Sequence, residues 1–302
     1  MKSCALCCSL LALALGMPMS AAERVEPDPV TIGMVQTLFT DVPQPIINLL
    51  MPPFRGLMKE FTGLNGQIQP GGDAFDVARA LQEDRVQLAV FHGVEYGWAK
   101  QKFADLQPLM VAVYKHPHMR AHLVVKGDSP ITDVAELKGK SCGIPFRSRE
   151  HCRLFMEKQS LTSGQCDPKS FFSQVTRPMS AEGAMDDVLM GKLGAAIVDD
   201  VLWNNYRDVK PGCFKRLRIL KTSEVFPTAV VVYKQGSLSD ATLEKFRSGM
   251  MNANRNEKGR ELMNLWKISA FELVPADYAA TLANIVEAYP APVAAIPVSR
   301  TP

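Results

Sequence analysis

Between Ser141 and Met156 the chain reads SCGIPFRSREHCRLFM, which sets two arginines and a hydroxyl where a strand hands over to a helix. Ser141 to Ile144 predicts a short buried strand and Pro145 a sharp exit. A helix is expected to open near Arg147 to Arg149, with Ser148 as its N-cap or in its first turn and Leu154, Phe155 and Met156 on its apolar face. The first turn of a helix offers unpaired N–H groups and a partial positive charge. With Arg147, Ser148 and Arg149 beside it, such a turn has the donors of an oxyanion site, an arginine forking onto two oxygens and a hydroxyl onto a third. The same residues also suit an ordinary strand-to-helix turn with surface arginines. The neighbouring elements must decide.

Other reactive residue types argue for less. His116, His118 and His122, with Met119 among them, invite a metal reading, but no Asp, Glu or Cys nearby completes the set, so no metal is expected. His151 and Cys152 are adjacent, and neighbours on a helix point about 100° apart, which argues against a Cys–His nucleophile. Gly71-Gly72 reads as a turn before a helix and matches no phosphate loop. Neither a cofactor nor a catalytic residue is expected.

The N-terminus has the pattern of a secretory signal: Lys2, an apolar run from Leu6 to Leu15, then Gly16, Pro18 and the small residues Ser20 to Ala22. Cleavage is expected after Ala22, and Cys7 and Cys8 fall too early to carry a lipid. No later run is apolar and long enough to span a bilayer, so the expectation is a protein outside the cytoplasm, periplasmic or secreted, without a membrane anchor. The formal charge of +3 becomes +2 once Lys2 leaves, which gives no nucleic-acid footprint. Three of the seven cysteines leave with the signal, and Cys142, Cys152, Cys166 and Cys213 remain in a compartment that permits pairing. Spacing alone does not choose among their three connectivities.

Val30 to Phe39 predicts a first strand leaving for a loop, and Ile46 to Phe61 a helix that Pro52 and Pro53 should kink or restart. Gly66 to Pro70 predicts a strand, Asp73 to Asp84 an amphipathic helix, Val86 to His92 a buried strand, and Tyr96 to Lys102 part of a helix. This β-α-β-α-β-α order argues for an α/β fold with a mostly parallel, doubly wound sheet. Strands at 109–114 and 122–126 follow, then a short helix at 133–138 and the stretch described first. Beyond it come a strand at 171–176, a helix at 181–190, a strand at 195–199 and a helix at 201–206. Strands at 217–220 and 229–233 flank Pro227, and helices close the chain before a loose Pro- and Ala-rich tail over 291–302. Two successive βα units with strands between them suggest two lobes joined by two crossing strands, which act as a hinge. The expected division is lobe 1 from 28–115 and 226–290, and lobe 2 from 119–222. Ligands in open α/β sheets bind beyond the carboxyl ends of strands. Four turns would then meet in one cleft: Thr37 to Val42, Phe91 to Tyr96, Pro145 to Glu150, and Asp199-Asp200 with Met179 to Glu182.

At these turns the chain resembles the phosphonate/phosphate-type solute-binding proteins of ABC importers. VQLAVFHGVEY (86–96) is similar to that family's strand ending in Gly-Pro and then a Tyr, and LKGKSCGIPFRSREH to its Ser-Thr-Ser anion loop. Met179-Ser180-Ala181-Glu182 resembles its Gly-Ser-His-Glu, LGAAIVD its strand ending in Val-Asp, and ILKTSEVFPTAVVVYKQGSLSD its return crossing. The resemblance spans nearly all of Val30 to Glu287. It implies a type 2 periplasmic-binding-protein fold whose lobes close on a ligand about a hinge. The chain departs from the family at Arg147 and Arg149, which replace two hydroxyls, at His92-Gly93, and at Ala181 in place of a histidine.

The resemblance implies a ligand-binding set of Thr37, His92, Tyr96, Arg147, Ser148, Arg149, Ser180, Glu182 and Asp199. The function it implies is a monomeric, non-enzymatic binder that captures a small phosphonate- or phosphate-like oxyanion for a membrane ABC permease. The alternatives are a periplasmic sensor serving a signalling partner, or an enzyme on the same fold. It also implies that Glu182 and Asp199 face the ligand away from its anionic end, where they would select an amine. With the lobes so arranged, the loops of Cys166 and Cys213 fall at the same remote face of lobe 2, and a Cys166–Cys213 disulfide is expected.

Overall fold

The computed structural model of the chain describes residues 29–40, 42–265 and 268–292. The signal-peptide reading and all but the start of the expected tail lie outside those residues. In the first half run β1 (Val30–Met34), α1 (Gln44–Thr62), β2 (Gly66–Pro70), α2 (Ala74–Gln82), β3 (Leu88–Phe91), α3 (Gly93–Lys102), β4 (Leu106–Val113), β5 (His118–Met119), β6 (Ala121–Lys126), β7 (Ser141–Gly143) and α4 (Glu150–Gly164). The second half adds α5 (Pro168–Phe171), β8 (Gln174–Thr176), α6 (Ala181–Leu189), β9 (Ala195–Asp199), α7 (Asp200–Val209), α8 (Pro211–Phe214), β10 (Leu217–Thr222), β11 (Phe226–Pro227), β12 (Ala229–Lys234), α9 (Asp240–Asn252), α10 (Glu257–Leu265), β13 (Ala270–Glu272) and α11 (Tyr278–Ala288).

The strands make two large sheets and a small pair. The first sheet has the order β13-β4-β12-β3-β1-β2, the second β10-β6-β9-β7-β8, and β5 pairs with β11 between them. β12 lies antiparallel between β3 and β4, and β13 runs antiparallel to β4. In the second sheet β6 alone opposes its neighbours β9 and β10. Each sheet is therefore parallel apart from the strands that carry the chain between lobes, plus the edge strand β13. Residue 231 and its neighbours show how both faces fill: Val230 and Val232 join one core with Tyr96 and Val111, while Val231 joins another with Met110 and Phe246. Leu123 and Val124 divide the second sheet in the same way.

The crossing is tight. A Cβ on Gly93, at the start of α3, would stand 2.4 Å from the carbonyl oxygen of Pro227 in β11, so only glycine lets that helix abut the crossing. On the far side α11 packs on α3, and the Trp98 indole donates to the Tyr289 carbonyl at 2.7 Å.

Several local expectations change. α1 passes through Pro52 and Pro53 without a restart. Ile47, Met51, Phe54 and Met58 hold it on the sheet, and that burial outweighs a proline cost of about 3 kcal/mol. The strand expected over 171–176 begins only at Gln174, because Asp167 accepts from the N–H groups of Lys169 and Ser170 and caps α5. The first strand stops at Met34 and a 3₁₀ turn over Gln36–Phe39 follows. Arg149 rather than Ser148 occupies the N-cap position of α4, without a side-chain cap bond. The Cys166–Cys213 disulfide is absent: all four cysteines are free. Cys166 packs against the face that carries Leu123 and Phe171, and Cys213 against the opposite face with Val124 and Phe214, so the sheet itself separates them.

Candidate functional site

The turn leaving β7 is shaped by its own hydrogen bonds. The backbone N–H and the hydroxyl of Ser148 both donate to the Pro145 carbonyl, at 3.1 and 2.7 Å, which closes a tight turn. Arg147 sits inside it at a φ of +57°, left-handed backbone that an arginine adopts only at a cost. The Ser148 hydroxyl is thus a turn-former here as well as a possible ligand donor.

Arg149 is held from two lobes. Its guanidinium lies 4.9 Å from the centre of the Tyr114 ring, at the exit of β4, and 3.4 Å from a carboxylate oxygen of Asp199, at the end of β9. Only 16 % of the Arg149 side chain and 4 % of the Asp199 side chain are exposed. Asp199 also caps α7, accepting from the Leu202 N–H at 2.8 Å. Its negative charge orients the arginine, and the arginine faces the cleft.

On the lobe 1 side, His92 caps α3, and Glu95 reaches back to accept from the His92 N–H at 3.4 Å. The Thr37 hydroxyl lies 2.8 and 2.9 Å from the two Glu95 oxygens. Burial pushes the Glu95 carboxyl above its ordinary range, and the neighbouring His92 side chain and the Thr37 hydrogen bond oppose that shift. Nε2 of His92 is buried and has no hydrogen-bond partner among the described residues. Burial likewise lowers the His151 imidazole, to about 4.

These groups open on one cavity of about 180 Å³. Thr37, His92, Arg147, Ser148 and Arg149 line it, together with Tyr114, Glu150 and Thr228, which the sequence did not single out. Glu150 is buried and ion-paired with Arg153. Four of the expected site residues stand elsewhere. Asp199 lies behind Arg149 rather than on the cavity. Tyr96 is 2 % exposed in the core on the other face of the first sheet, donating from its hydroxyl to the Leu106 carbonyl at 3.3 Å. It points away because residue 96 falls on the face of α3 that packs on the sheet. Ser180 caps α6 through the Gly183 N–H at 3.0 Å, and both it and Glu182 are exposed outside the cavity. The histidines of the crossing also diverge: His118 faces Asp277, and Nδ1 of His122 lies 3.0 Å from the Thr222 hydroxyl.

Two α/β lobes, two crossing segments and a donor-lined cavity where they meet define a solute-binding protein of the two-lobed type. The chain belongs to the family of ABC transporter phosphonate periplasmic substrate-binding proteins, whose pattern it matches over residues 38–279. Solved structures agree on the fold. PhnD1 from Prochlorococcus marinus, in complex with methylphosphonate, is 12% identical with a TM-score of 0.56, over 86% of this chain and 97% of that one. A Xanthomonas citri protein bound to ATP is 17% identical with a TM-score of 0.55, over 85% and 95% of the two chains. A binding component of an ABC phosphonate transporter from Pseudomonas aeruginosa is 17% identical with a TM-score of 0.53, over 86% and 85%. Comparison with curated protein sequences finds no match. The fold is the type 2 periplasmic-binding-protein fold. The family is one of substrate-binding transport proteins, which implies a small ligand and a membrane permease. Among the described residues no helix is long and apolar enough to cross a membrane.

Proposed function

We propose that this chain captures a phosphonate- or phosphate-like oxyanion between its lobes and delivers it to a membrane permease, as a monomer and without chemical turnover. Lobe 1 (28–115 and 226–290) and lobe 2 (119–222) close about the β5–β11 crossing, and the mature chain begins after Ala22. The observation that supports this most is the pairing of Arg147 and Arg149 at one cavity, with Arg149 held in place by both Asp199 and Tyr114. A guanidinium oriented before the ligand arrives loses little freedom on binding it. Recognition is of the anionic end. Asp199 already has its cation in Arg149, Glu150 on the lining has its own in Arg153, and Glu182 is exposed outside the cavity, so no unpaired carboxylate there calls for a ligand amine.

Calorimetry with methylphosphonate and inorganic phosphate tests this reading, using the wild type and an Arg147→Ala/Arg149→Ala double variant. Ligand at a hundredfold its Kd should also add about 2.7 kcal/mol of stability in a thermal-shift assay. The double variant should lose at least tenfold in affinity for whichever anion binds. Equal affinity in the double variant removes this turn from the site.

A further inference from the structure

A small anion accounts for only the mouth of the cavity. Behind Arg149 and Thr228 the space continues into lobe 1, between the first sheet and the helices that cover it. Its inner wall is the sheet face of Ile32, Ile68, Met110 and Val231, and its outer wall is Phe54 of α1 with Phe246 and Met250 of α9. Ile268 and Phe271 close the end. None of these side chains offers a strong hydrogen-bond donor or acceptor, and the ionisable residues on the lining, His92, Arg147, Arg149 and Glu150, stand at the cleft end. Water gains little in such a space, since it needs two to four polar partners.

The polarity is therefore arranged along one axis: cations and hydroxyls at the cleft, then an apolar interior. From this arrangement, and resting on the oxyanion reading above, we infer that the ligand is amphiphilic, an oxyanion head carrying an unbranched alkyl tail that enters lobe 1. Methionine walls suit a tail better than a rigid ring, because an unbranched thioether side chain adapts to a flexible chain. The length follows from the volume. An apolar cavity of about 150 Å³ takes up benzene, a six-carbon molecule, so about 180 Å³, part of which the head occupies, fits a tail of about four to six carbons. Methylphosphonate would leave nearly all of that wall uncovered.

The test is a calorimetric series on the full mature chain with methyl-, butyl-, hexyl- and octylphosphonate, each below its micelle concentration, with 1-hexanol as the headless control. Each buried methylene should tighten binding about fourfold. Hexylphosphonate should thus exceed methylphosphonate by at least about fiftyfold, three or more methylenes' worth, with the gain levelling off by octyl. In Val231→Phe, which places a ring in the apolar end, the advantage of hexyl over methyl should fall below tenfold. Equal affinity for methyl- and hexylphosphonate overturns the tail while leaving the oxyanion reading standing. Binding of hexanol as tight as that of hexylphosphonate, or no binding of any phosphonate, overturns the oxyanion reading and this inference together. The wild-type series decides the matter even if Val231→Phe does not fold.

Discussion

Arg149 allows the closest calculation, because Tyr114 and Asp199 both hold it, and in that pair the arginine is half-buried and the aspartate buried. Arg149→Met keeps most of the stem's packing against Tyr114 and removes the charge. What remains is Asp199, 4 % exposed at its side chain, with the Leu202 N–H at 2.8 Å still bonded to it. Removing one partner of a buried ion pair costs about 3–5 kcal/mol, because the other charge is left uncompensated. The surviving cap bond places this case at the lower end, so about 3 kcal/mol is expected for Arg149→Met. Asp199→Asn should cost less, about 1–2 kcal/mol, since the amide oxygen can still cap α7 and the guanidinium keeps the Tyr114 ring and its path to the cleft. In the double variant no buried charge is stranded, and the loss should fall short of the sum of the singles by at least about 1.5 kcal/mol. Urea denaturation of the four proteins at pH 7, without ligand, measures this coupling directly. A coupling below about 0.5 kcal/mol, the noise of such cycles, would refute the claim that Asp199 holds the arginine in place. Binding of the oxyanion should then be unaffected by Asp199→Asn, whereas the present geometry makes it weaker.

Two further perturbations separate the turn from the ligand and the core from the solvent. Arg147→Gly relieves left-handed backbone at φ +57° and should leave stability within about 1 kcal/mol of wild type or above it, while affinity for the anion drops. Calorimetry and thermal melting on one preparation show both effects, and a fall in both would make Arg147 structural. His151, 3 % exposed and shifted down to about 4 by burial, is neutral in the folded chain where the unfolded chain, near 6.5, takes up a proton. Stability should therefore fall as pH drops from about 6.5 toward 4, by on the order of 3 kcal/mol in total. His151→Leu should flatten that slope, and an unchanged slope assigns the acid sensitivity to another group.

Much of the fold was readable locally. The continuous apolar run of β9, the Asp73 cap of α2 and the Ser180 cap of α6 are short-range signals, and the structure has each of those elements where they point. The errors cluster where a distant partner overrides a local rule. Pro52 and Pro53 stay helical because the sheet holds α1, and the start of the strand expected at Phe171 becomes a helix because Asp167 caps it. β13 was missed, for Ala270 to Glu272 is strand only because β4 pairs with it. At the site, the Pro145 turn and its arginines were visible, as was the approach of Thr37 and His92. Glu95, three residues after His92, had a findable signal in that spacing; Tyr114 and Thr228 had none, because what brings them to the cavity is the crossing of the chain between lobes.

The sequence by itself determined where most of the helices and strands fall, which strand faces are apolar, and that two arginines flank a serine just past a strand. Those properties depend on φ/ψ preference, capping and periodicity, which act over a few residues. Only the tertiary structure decided that Tyr96 turns into the core, that Asp199 serves Arg149 from 50 positions away, and that Cys166 and Cys213 lie on opposite sides of a sheet. The cavity belongs to the same class. Ile32, Ile68, Met110, Val231 and Phe246 are each ordinary core residues in the sequence, drawn from both ends of the chain. Periodicity says which way such a side chain points. Whether the space it points into is filled depends on the sum of packing between elements far apart in the chain, and here that sum leaves an opening behind the arginines.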